Sequence, residues 1–571
     1  MCLTLSVTIF SQSNKPVKII QNGDVLTSNQ HHVVSQNVAW IPPQVSKSEV
    51  KNFSSNSPIT VTTIEIPGGR TYYNIQSNGC VRYIWQNPNN YTQIHACFTV
   101  SNQPPNWPDR NVGYFFTSDF GVTWDYLGTV SNSRAGFPSL SALTNGRAII
   151  ACHTANATSG DVRTQVFVDI APGAGTWTAK DPGLAGTDVP IWPSVVSTID
   201  NGCLVTSSVN ATAGPLFRNQ NANLTSGNNW SGWVEIPDGE NANQYSCARG
   251  GSNLGIAYLT TNGGINFIQS TDNGAIWSSP VVIRNWNPAD STGTLRSVDI
   301  CYQNNQPKVF FGICKITATG YYPNRPSFMY LWSPNINGGN PVLVDSSQGL
   351  RGTGEVDVYT SVCRGTIGTS TDGNLLYVVW CRARLSDTTA SGVHFFDVWF
   401  SYSTNGGLTW LEKSRITNLS GQVMDCRFPS ISPLNRGPNS YPYYAHVIYQ
   451  QDSIPGQISL AQMMYAKILI TGGLGIKQIG SEIPSSYSLS QNYPNPFNPK
   501  TIINFQLPMV NYVNLKVYDA LGREVATLVN EQLQPGTFEV DFDGSNLASG
   551  IYYYYLQTEN FSDSKKMIIL K

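Results

Sequence analysis

The sequence has few charged residues and no long apolar run. Asp, Glu, Lys and Arg make up 12% of its 571 residues, whereas a typical globular protein has about 25%. Because 34 basic residues nearly balance 35 acidic ones, no basic surface is expected to attract nucleic acid. From Ser13 to Lys571, no segment approaches the ~18 apolar residues of a membrane helix. The sequence therefore predicts neither nucleic-acid binding nor a transmembrane segment.

Long amphipathic helical patterns are also missing, whereas residues that favour strands and turns are abundant. The chain contains 50 Gly, 34 Pro, 28 Tyr and 14 Trp, which is typical of many short strands joined by tight turns. Its length exceeds that of one ordinary hydrophobic core. We therefore predict an all-β protein with two or more domains or a repeat array.

The cysteines show neither a zinc pattern nor a disulfide pattern. The chain has 11 cysteines and 6 histidines but no Cys-x-x-Cys pair, so we predict no metal and no other cofactor. Cys247, Cys301, Cys363 and Cys426 are 54, 62 and 63 residues apart. This spacing indicates one small buried residue recurring in equivalent strands, since free cysteine packs as a small hydrophobe. We expect mostly free, buried thiols.

The first 13 residues contain an apolar run, Leu3 to Phe10, followed by small polar residues. This pattern is typical of the end of a secretory signal peptide, although the basic n-region is missing. A short buried strand is the alternative. We predict a signal-peptide remnant over residues 1–13.

One eight-residue pattern occurs three times, as TSDFGVTW (117–124), STDNGAIW (270–277) and STNGGLTW (403–410). The Asp or Asn accepts backbone N–H bonds in a tight turn, and Gly adopts the positive φ that other residues resist. The Trp anchors the turn on a neighbouring sheet. This chemistry predicts a structural turn and not a catalytic site. The residues concerned are Asp119, Gly121, Trp124, Asp272, Gly274, Trp277, Asn405, Gly407 and Trp410.

The tryptophans of intact and degraded copies recur about every 50 residues, which is typical of the blades of a β-propeller. Trp124, Trp177, Trp230 and Trp277 are 53, 53 and 47 residues apart. A second repeated element, Phe-Pro-Ser or Trp-Pro-Ser, contains Pro138, Pro193 and Pro429. Units open near residues 70, 135, 190, 245, 296, 358 and 426. We predict a propeller over residues 35–475, with seven blades as first choice and six as second.

The repeated turn resembles the Asp-box, or BNR repeat, of the sialidase-like propellers. In that family the boxes lie on the outer rim, remote from the active site. The resemblance therefore implies a fold and leaves activity to be argued from the site.

After a linker at 476–486, the character of the sequence changes. The alternating stretches INFQL, NLKVYDA and TFEVDF predict half-buried strands. Six or seven short strands in residues 487–571 suggest a small Ig-like β-sandwich.

This segment also resembles the type A C-terminal sorting domain of the type IX secretion system of Bacteroidota. The resemblance implies export across both membranes, recognition by the secretion machinery at the outer membrane, and removal of the domain with attachment of the cargo to surface lipopolysaccharide. The residues that carry it include Pro494, Asn495, Pro496, Phe497, Gly522, Arg523, Gly550, Lys565 and Lys566.

No catalytic residue can be assigned from the sialidase resemblance. Sialidases bind the substrate carboxylate with three arginines, because a planar guanidinium matches a carboxylate, and the first of them lies in an Arg-Ile-Pro string that this sequence lacks. Candidate ligand-binding residues of an axial channel are Arg70, Arg134, Arg296 and Arg427. These arginines could equally pair with acids. Glu355, Asp357 and Asp425 are more typical of turn capping or channel lining than of catalysis.

The sequence therefore predicts a secreted protein that its sorting domain attaches to the cell surface and that acts as a glycan- or protein-binding module. A divergent exo-glycosidase of the sialidase type is the alternative, and a structural adhesin is the second alternative.

Overall fold

The computed structural model describes residues 18–21, 24–27, 49–52, 59–73, 76, 82–156, 160–209, 215–239, 244–286, 291–317, 320–351, 359–419, 423–438, 442–455, 459–470, 476–480, 482–544 and 547–571. Within these residues the all-β prediction is confirmed, because the one helical element is a 3₁₀ turn over Asn337–Gly339. No helix of this part of the chain is long and apolar enough to cross a membrane. The predicted signal-peptide remnant, 1–13, lies outside the described residues.

The first strands of the described residues are β1 (Lys18–Gln21), β2 (Asp24–Thr27), β3 (Glu49–Asn52) and β4 (Ile59–Thr71). Antiparallel sheets then follow one another along the sequence. The first sheet contains β5 (Ile84–Gln86), β6 (Ile94–Val100), β7 (Asn111–Thr117) and β8 (Asp125–Thr129). The second contains β9 (Ala135–Ala142), β10 (Ala148–Ala155), β11 (Val162–Asp169) and β12 (Trp177–Lys180). The third contains β13 (Pro190–Ser197), β14 (Cys203–Val209), β15 (Leu216–Asn221) and β16 (Val234–Ile236).

Four further sheets complete this part of the chain. The fourth contains β17 (Tyr245–Gly250), β18 (Asn253–Leu259), β19 (Ile265–Ser270) and β20 (Val281–Arg284). The fifth contains β21 (Thr292–Gly293), β22 (Val298–Gln303), β23 (Gln306–Thr317), β24 (Gly320–Tyr321), β25 (Ser327–Trp332) and β26 (Val342–Ser347), extended by β1 and β2. The sixth contains β27 (Val362–Ser370), β28 (Leu376–Thr388), β29 (His394–Ser403) and β30 (Leu411–Arg415), with β32 (Leu434–Asn435) beside β27. The seventh contains β31 (Asp425–Ile431), β33 (Tyr443–Asp452) and β34 (Ala461–Ile470), followed by β4 and β3.

The seventh sheet takes its fourth strand from the beginning of the chain. β4 pairs antiparallel with β34, from Ile59 opposite Ile470 to Thr71 opposite Ala461. The predicted opening near residue 70 is therefore wrong, since this segment completes the last sheet and the first sheet begins at Ile84. The prediction missed this pairing because it joins segments about 400 residues apart, which leaves no local pattern in the sequence. Likewise, β1 and β2 pair within the fifth sheet, although they precede the predicted start at residue 35.

The first strands of neighbouring sheets are joined by hydrogen bonds. In the fifth sheet the strand concerned is β22. A backbone N–H or a hydroxyl of one of these strands, or of the residues just before it, donates to the neighbouring one. In order from the first sheet through the seventh and back to the first, the bonds are Leu140 N to Arg82 O (2.9 Å), Val195 N to Ser139 Oγ (3.1 Å), Cys247 N to Ser194 Oγ (3.4 Å), Ser246 Oγ to Asp299 Oδ1 (2.7 Å), Ile367 N to Asp299 Oδ2 (2.9 Å), Ile431 N to Thr366 Oγ1 (3.1 Å) and Tyr83 N to Ser430 Oγ (2.9 Å).

A buried ion pair lies among these strands. Arg82 Nη2 is 3.1 Å from Asp299 Oδ1, and the two side chains are only 4% and 1% exposed. The guanidinium also donates to the carbonyl oxygens of Ile300 and Ile367. Arg82 thus connects residues that precede the first sheet to the fifth and sixth sheets, and Asp299 neutralises its charge.

The three repeated turns (residues 117–124, 270–277 and 403–410) share one hydrogen-bonding pattern, and each joins the third strand of its sheet to the fourth. In the first turn, the Thr117 hydroxyl donates to Asp119 Oδ1 (2.7 Å) and accepts from Gly121 N (3.1 Å). Burial would raise the pKa of Asp119, but hydrogen bonds from Thr123, Thr117 and Val122 lower it to about 2. The serine–Asp272 and serine–Asn405 bonds are equivalent, at 2.6 and 2.9 Å.

Each repeated turn also packs against the preceding sheet. A Cβ at Gly121 would collide with Tyr465, one at Gly274 with Gln220 and one at Gly407 with Leu331. The glycine is therefore required both for its positive φ and for close approach. The carbonyl before it accepts from the same neighbouring sheet: Lys467 Nζ reaches Phe120 O (3.2 Å), Gln220 Nε2 reaches Asn273 O (2.7 Å) and Lys308 Nζ reaches Gly406 O (2.9 Å).

The three tryptophans differ in burial. Trp124 is 4% exposed and packs against Tyr465 of the seventh sheet, with ring centroids 5.1 Å apart. Trp410 is half-buried and packs against a core of the fifth and sixth sheets. Trp277 is half-buried, and the Arg218 guanidinium lies 4.7 Å from its ring centroid.

We expect Trp277→Ala to lower the free energy of unfolding by about 1–2 kcal/mol, since only part of the ring leaves water on folding. The measurement is chemical denaturation of the full chain. Trp277→Phe is the matched control, because it retains an aromatic ring for Arg218, and it should lose less than half as much. Equal losses in both variants would contradict this account of the turn.

Nine of the cysteines lie in the described residues, and all nine are buried and free. Cys247, Cys301, Cys363 and Cys426 lie in the first strands of four successive sheets, as their spacing indicated. Burial is the main cause that raises the pKa of Cys247 to about 11 and that of Cys301 to about 12. The prediction of buried free thiols is confirmed for these nine residues.

The C-terminal part of the chain forms two packed sheets. One has the order β35-β40-β37-β36 and the other β39-β38-β41-β42. Their strands are β35 (Ile476–Gly480), β36 (Ser488–Leu489), β37 (Lys500–Leu507), β38 (Asn511–Asp519), β39 (Glu524–Leu533), β40 (Gly536–Asp543), β41 (Gly550–Gln557) and β42 (Ser562–Ile569). One hydrophobic core joins both sheets. The predicted linker at 476–486 is wrong in its first part, because residues 476–480 form β35, which pairs with β40. The sequence did not indicate this strand, since backbone pairing requires no hydrophobic alternation.

Candidate functional site

The second repeated element, Phe-Pro-Ser or Trp-Pro-Ser, forms a bulge in the first strand of its sheet. Phe137, Trp192 and Phe428 precede the prolines and have φ of 53°, 55° and 54°. The pairing register with the second strand shifts at each of these positions. A bulge redirects the side chains beside it. In the second and third sheets it places Phe137 and Trp192 in one cluster with Tyr73.

The arginine–aromatic cluster consists of Tyr73, Trp107, Arg110, Arg134, Phe137, His153 and Trp192. It lies where the first strands of the second and third sheets begin, and it includes the loop between β6 and β7 and the segment after β4. The Arg110 guanidinium lies 5.3 Å from the Tyr73 ring centroid and 5.7 Å from that of Phe137. It donates to Ala135 O (3.1 Å) and Tyr73 Oη (3.3 Å).

Among the described residues, no carboxylate forms an ion pair with the positive charges of this cluster, which are Arg110 and Arg134. Other arginines do form such pairs, among them Arg82, Arg163, Arg384 and Arg427. Burial and repulsion from Arg110 lower the pKa of Arg134. Burial, followed by the charges of Arg110 and Arg134, holds the pKa of His153 well below its usual value. His153 is therefore neutral, and its Nε2 accepts from Arg110 Nη2 at 3.3 Å.

Arg134 is the solvent-exposed cation of the cluster. Its Nε donates to Trp107 O (3.1 Å) and its Nη2 to Asn106 O (3.5 Å). These bonds orient the guanidinium, and its Nη1 donates no hydrogen bond to the residues that the structure describes. Beside it, Trp107 is half-buried and has a φ of 46°. Trp107, Phe137 and Trp192 thus hold strained backbone conformations, which often occur at binding and catalytic sites.

The four arginines predicted as channel residues bond to different partners. Arg70 lies near the end of β4, and its Nε donates to Gln462 Oε1 at 3.3 Å. Arg296 is 5% exposed and precedes β22, where its backbone N–H donates to Gln244 Oε1 at 3.0 Å. Arg427 lies in β31 and only Arg134 lies in the cluster.

Arg427 belongs to a second, buried group in the sixth and seventh sheets. Its Nε donates to Asp425 Oδ2 (2.6 Å), and Asp425 Oδ1 accepts from Phe396 N (2.8 Å). The guanidiniums of Arg427 and Arg364 lie 4.3 and 4.5 Å from the Tyr359 ring centroid. Asp425 is therefore committed to holding Arg427. Glu355 and Asp357 lie outside the described residues.

Asp452 lies opposite Asp425 in the register of β31 and β33. Burial raises its pKa to about 6, although Ser459, Ile454 N and the charge of Arg427 lower it. Both carboxylates are almost fully buried, at 3% and 5% exposed. In the part of the chain that the structure describes, no group of three or more His, Cys, Asp or Glu side chains is placed to hold a metal ion.

Sequence reasoning missed Tyr73, Trp107, Arg110 and Trp192 as members of a site. Arg110 and Tyr73 lie in segments without strand periodicity, and their meeting depends on β4 being part of the seventh sheet. For Trp192 a signal was present, because the repeated Pro-Ser element marks positions where the strand bulges. Two such elements in neighbouring sheets place their aromatic residues together.

In the C-terminal sandwich, the Pro-Asn-Pro-Phe segment covers the free edge of β42. Phe497 N donates to Ile568 O (3.0 Å), and Leu570 N donates to Phe497 O (3.0 Å). The Asn495 amide accepts from Ile568 N (2.9 Å) and donates to Lys566 O (3.2 Å). Asn495 thus replaces the backbone of a neighbouring strand, between Pro494 and Pro496, which have no N–H. Phe497 is 3% exposed in the core.

The other residues of the predicted sorting motif have separate places. Gly522, with a φ of 77°, forms the β38–β39 turn with Arg523, whose Nε donates to Asp519 Oδ2 at 2.8 Å. Gly550 begins β41, directly opposite Ile569 of β42. Lys565 Nζ lies 3.0 Å from Asp563 Oδ2, and Lys566 is exposed on β42.

Comparison with known proteins gives a family for this segment. Residues 491–570 match the model of the secretion system C-terminal sorting domain, which confirms the predicted sorting domain. No curated protein matches the sequence. Similar solved structures include an ulvan lyase of polysaccharide lyase family PL25, which is 11% identical, covers 68% of this chain and 94% of that one, and has a TM-score of 0.41. A protein of unknown function from Dyadobacter fermentans is 11% identical (72% and 99% covered, TM-score 0.37), and a Trypanosoma rangeli sialidase is 9% identical (86% and 84% covered, TM-score 0.36). Similarity at this level indicates no substrate.

Proposed function

The C-terminal residues 491–570 are a type IX secretion sorting domain that directs export to the cell surface or the medium, and from this premise we propose that the remainder of the chain is a surface-displayed module that binds acidic glycans. The observation that carries the proposal is the pair of guanidiniums, Arg110 and Arg134, which form no ion pair with the described residues and lie beside the half-buried Trp107.

We propose that the seven sheets are the blades of one sialidase-like propeller. Three observations support this arrangement: neighbouring first strands are joined in sequence, the seventh sheet bonds back to the residues before the first, and β4 supplies a strand from the start of the chain. The repeated turns have the geometry expected of Asp-boxes. The propeller then contains residues 59–470. The range of 35–475 proposed from the sequence includes these residues but leaves out β1 and β2, which pair within the fifth sheet.

The two C-terminal sheets fit an Ig-like sandwich that begins with β35 and not at Tyr487. On this proposal the exported protein is released from its sorting domain and attached to lipopolysaccharide, as the resemblance implies. The propeller would then be displayed at the surface, where polymeric acidic sugars are accessible to it.

A carboxylate or sulfate on the ligand suits the chemistry of the cluster. A guanidinium binds such groups through two parallel N–H bonds, and Arg134 Nη1 donates no hydrogen bond to the described residues. The Trp107 ring offers a surface on which a sugar ring stacks. Arg110 is held rigidly by Tyr73 and Ala135, so its charge adds to the local field without rearrangement.

A divergent glycosidase is less well supported, because hydrolysis needs an acid and a nucleophile or base that reach the substrate. Asp425 and Asp452 are buried and already accept hydrogen bonds. They are held as structural groups of the sixth and seventh sheets. A structural adhesin requires no sugar site, and the unneutralised arginines favour binding over that role.

We expect Arg134→Ala to weaken binding of an acidic oligosaccharide at least about tenfold, the effect of losing one charge-assisted hydrogen bond. The full chain is first screened against glycans in matched carboxylated, sulfated and neutral forms. Affinities of wild type and variant are then measured by calorimetry, with release of reducing sugar followed in parallel.

Arg436→Ala is the matched control, because Arg436 is exposed and its guanidinium donates to a carbonyl, Pro88 O, at 3.0 Å. This control should leave both the affinity and the melting temperature unchanged. Equal binding of charged and neutral glycans would overturn the proposal. Turnover that depends on Arg134 would establish the glycosidase instead.

A further inference from the structure

The outer faces of the two C-terminal sheets differ in chemistry. On β37 and β40, the residues that alternate with the core are polar or charged except for one isoleucine, and none has a ring: Lys500, Ile502, Asn504, Gln506, Thr537, Glu539, Asp541 and Asp543. The corresponding residues of β38, β41 and β42 form what we call the tyrosine face: Lys516, Tyr518, Ile551, Tyr553, Tyr555 and Lys566. The same strand alternation therefore produces two unlike surfaces.

The residues of the tyrosine face are neighbours across three strands. Tyr518 lies opposite Tyr553, which lies opposite Lys566. In the next row Lys516 lies opposite Tyr555. Directly opposed side chains on one face are about 5 Å apart, so the rings and ammonium groups form a continuous surface. Ile551 and Tyr553 are 44% and 43% exposed.

Charge on this face is unevenly neutralised. Lys516 Nζ lies 2.9 Å from Glu524 Oε2. Lys566 forms no ion pair within the described residues. Tyrosine is enriched among the residues that carry the binding energy of protein interfaces, because its ring buries much area and its hydroxyl remains a polar end.

The tyrosine face is continuous with the segment that identifies the sorting domain. Gln491 Nε2 and Asn495 Nδ2 both donate to Lys566 O, at 2.8 and 3.2 Å. Between them, Tyr493 is 80% exposed. The Pro-Asn-Pro-Phe segment and Gln491 thus position the backbone of Lys566. The ammonium group of Lys566 ends the row that Tyr518 and Tyr553 begin.

We infer that the tyrosine face is the surface through which the recognition component of the secretion machinery contacts this domain. That partner presents a surface that accepts tyrosine rings, with carboxylates opposite Lys566. The opposite sheet, with Glu539 and Asp541, would repel such a partner.

The test uses the full chain in a host with a working type IX system. We expect Tyr518→Ser/Tyr553→Ser to reduce surface labelling of intact cells about tenfold or more, with the protein retained in the periplasm, because loss of one interface anchor worth about 1.4 kcal/mol is already tenfold. Ile502→Ser/Gln506→Ser, on the opposite sheet, is the matched control and should be displayed as wild type. Circular dichroism of the purified chains checks folding.

A second variant, Lys566→Glu, does not touch the core and should impair display even if the tyrosine variant is unstable. Wild-type display of Lys566→Glu and of a folded tyrosine variant would overturn the inference. A third outcome is that wild type self-associates, that the tyrosine variant does not, and that display is unchanged. This outcome would assign the tyrosine face to a second copy of the chain and would also overturn the inference.

Discussion

Replacing Arg82 with methionine is expected to lower the free energy of unfolding by about 3–5 kcal/mol at neutral pH, the usual cost of leaving a buried charge without its partner. Asp299 is 1% exposed, and burial raises its pKa even in the presence of Arg82, which lowers it. Without Arg82 the carboxylate loses its counter-charge and retains only hydrogen-bond donors such as Ser246 Oγ and Ile367 N to offset its burial. The same variant also loses the hydrogen bonds to Ile300 and Ile367.

The pH dependence distinguishes this cause from simple loss of packing. A carboxyl group whose pKa is raised by folding destabilises the native state once it ionises, so the deficit of Arg82→Met should be greatest at neutral pH and shrink as the pH falls. Adding Asp299→Asn should recover part of the loss at neutral pH. A deficit that is independent of pH, together with additive effects in the double variant, would contradict a charge-based explanation.

Wild-type stability is expected to fall on acidification from pH 7 to pH 5 through the buried histidines whose pKa folding lowers, which are His95, His153 and His446. Burial lowers the pKa of His95 to about 4 and that of His446 to about 3, with Lys467 contributing at His446. Each ring accepts from or donates to a tyrosine hydroxyl, Tyr114 at 2.7 Å and Tyr465 at 2.6 Å. At pH 5 the unfolded imidazoles bind protons and the folded ones do not, which costs about 2 kcal/mol per histidine.

The measurement is chemical denaturation at several pH values for wild type, His95→Gln and His446→Gln. Glutamine keeps a hydrogen-bonding group but does not titrate, so each variant should lose about 2 kcal/mol less than wild type between pH 7 and pH 5. Asp452 acts in the opposite direction, because its raised pKa favours the folded state on acidification. Comparing each variant with wild type removes this common contribution. Parallel stability curves would show that the histidines titrate normally.

Local patterns in the sequence determined the class of structure and the C-terminal domain. Turn residues and short apolar runs predicted an all-β chain, because alternation and tight turns are properties of a few adjacent residues. The repeated turns were predictable for the same reason: the Thr117–Asp119 and Gly121 bonds all form within eight residues. The periodic cysteines likewise report one strand position, which recurs in Cys247, Cys301, Cys363 and Cys426.

Only the tertiary structure decided which distant segments meet. β4 completes the seventh sheet, and β35 joins the C-terminal sandwich, through backbone hydrogen bonds that place no requirement on side-chain pattern. The same reason explains the candidate site. Arg134 could be selected from the sequence by its place before a strand, but its partner Arg110 and the rings of Tyr73 and Trp192 come from three other parts of the chain. Their charge and burial depend on the packing of whole sheets, which no short stretch of residues encodes.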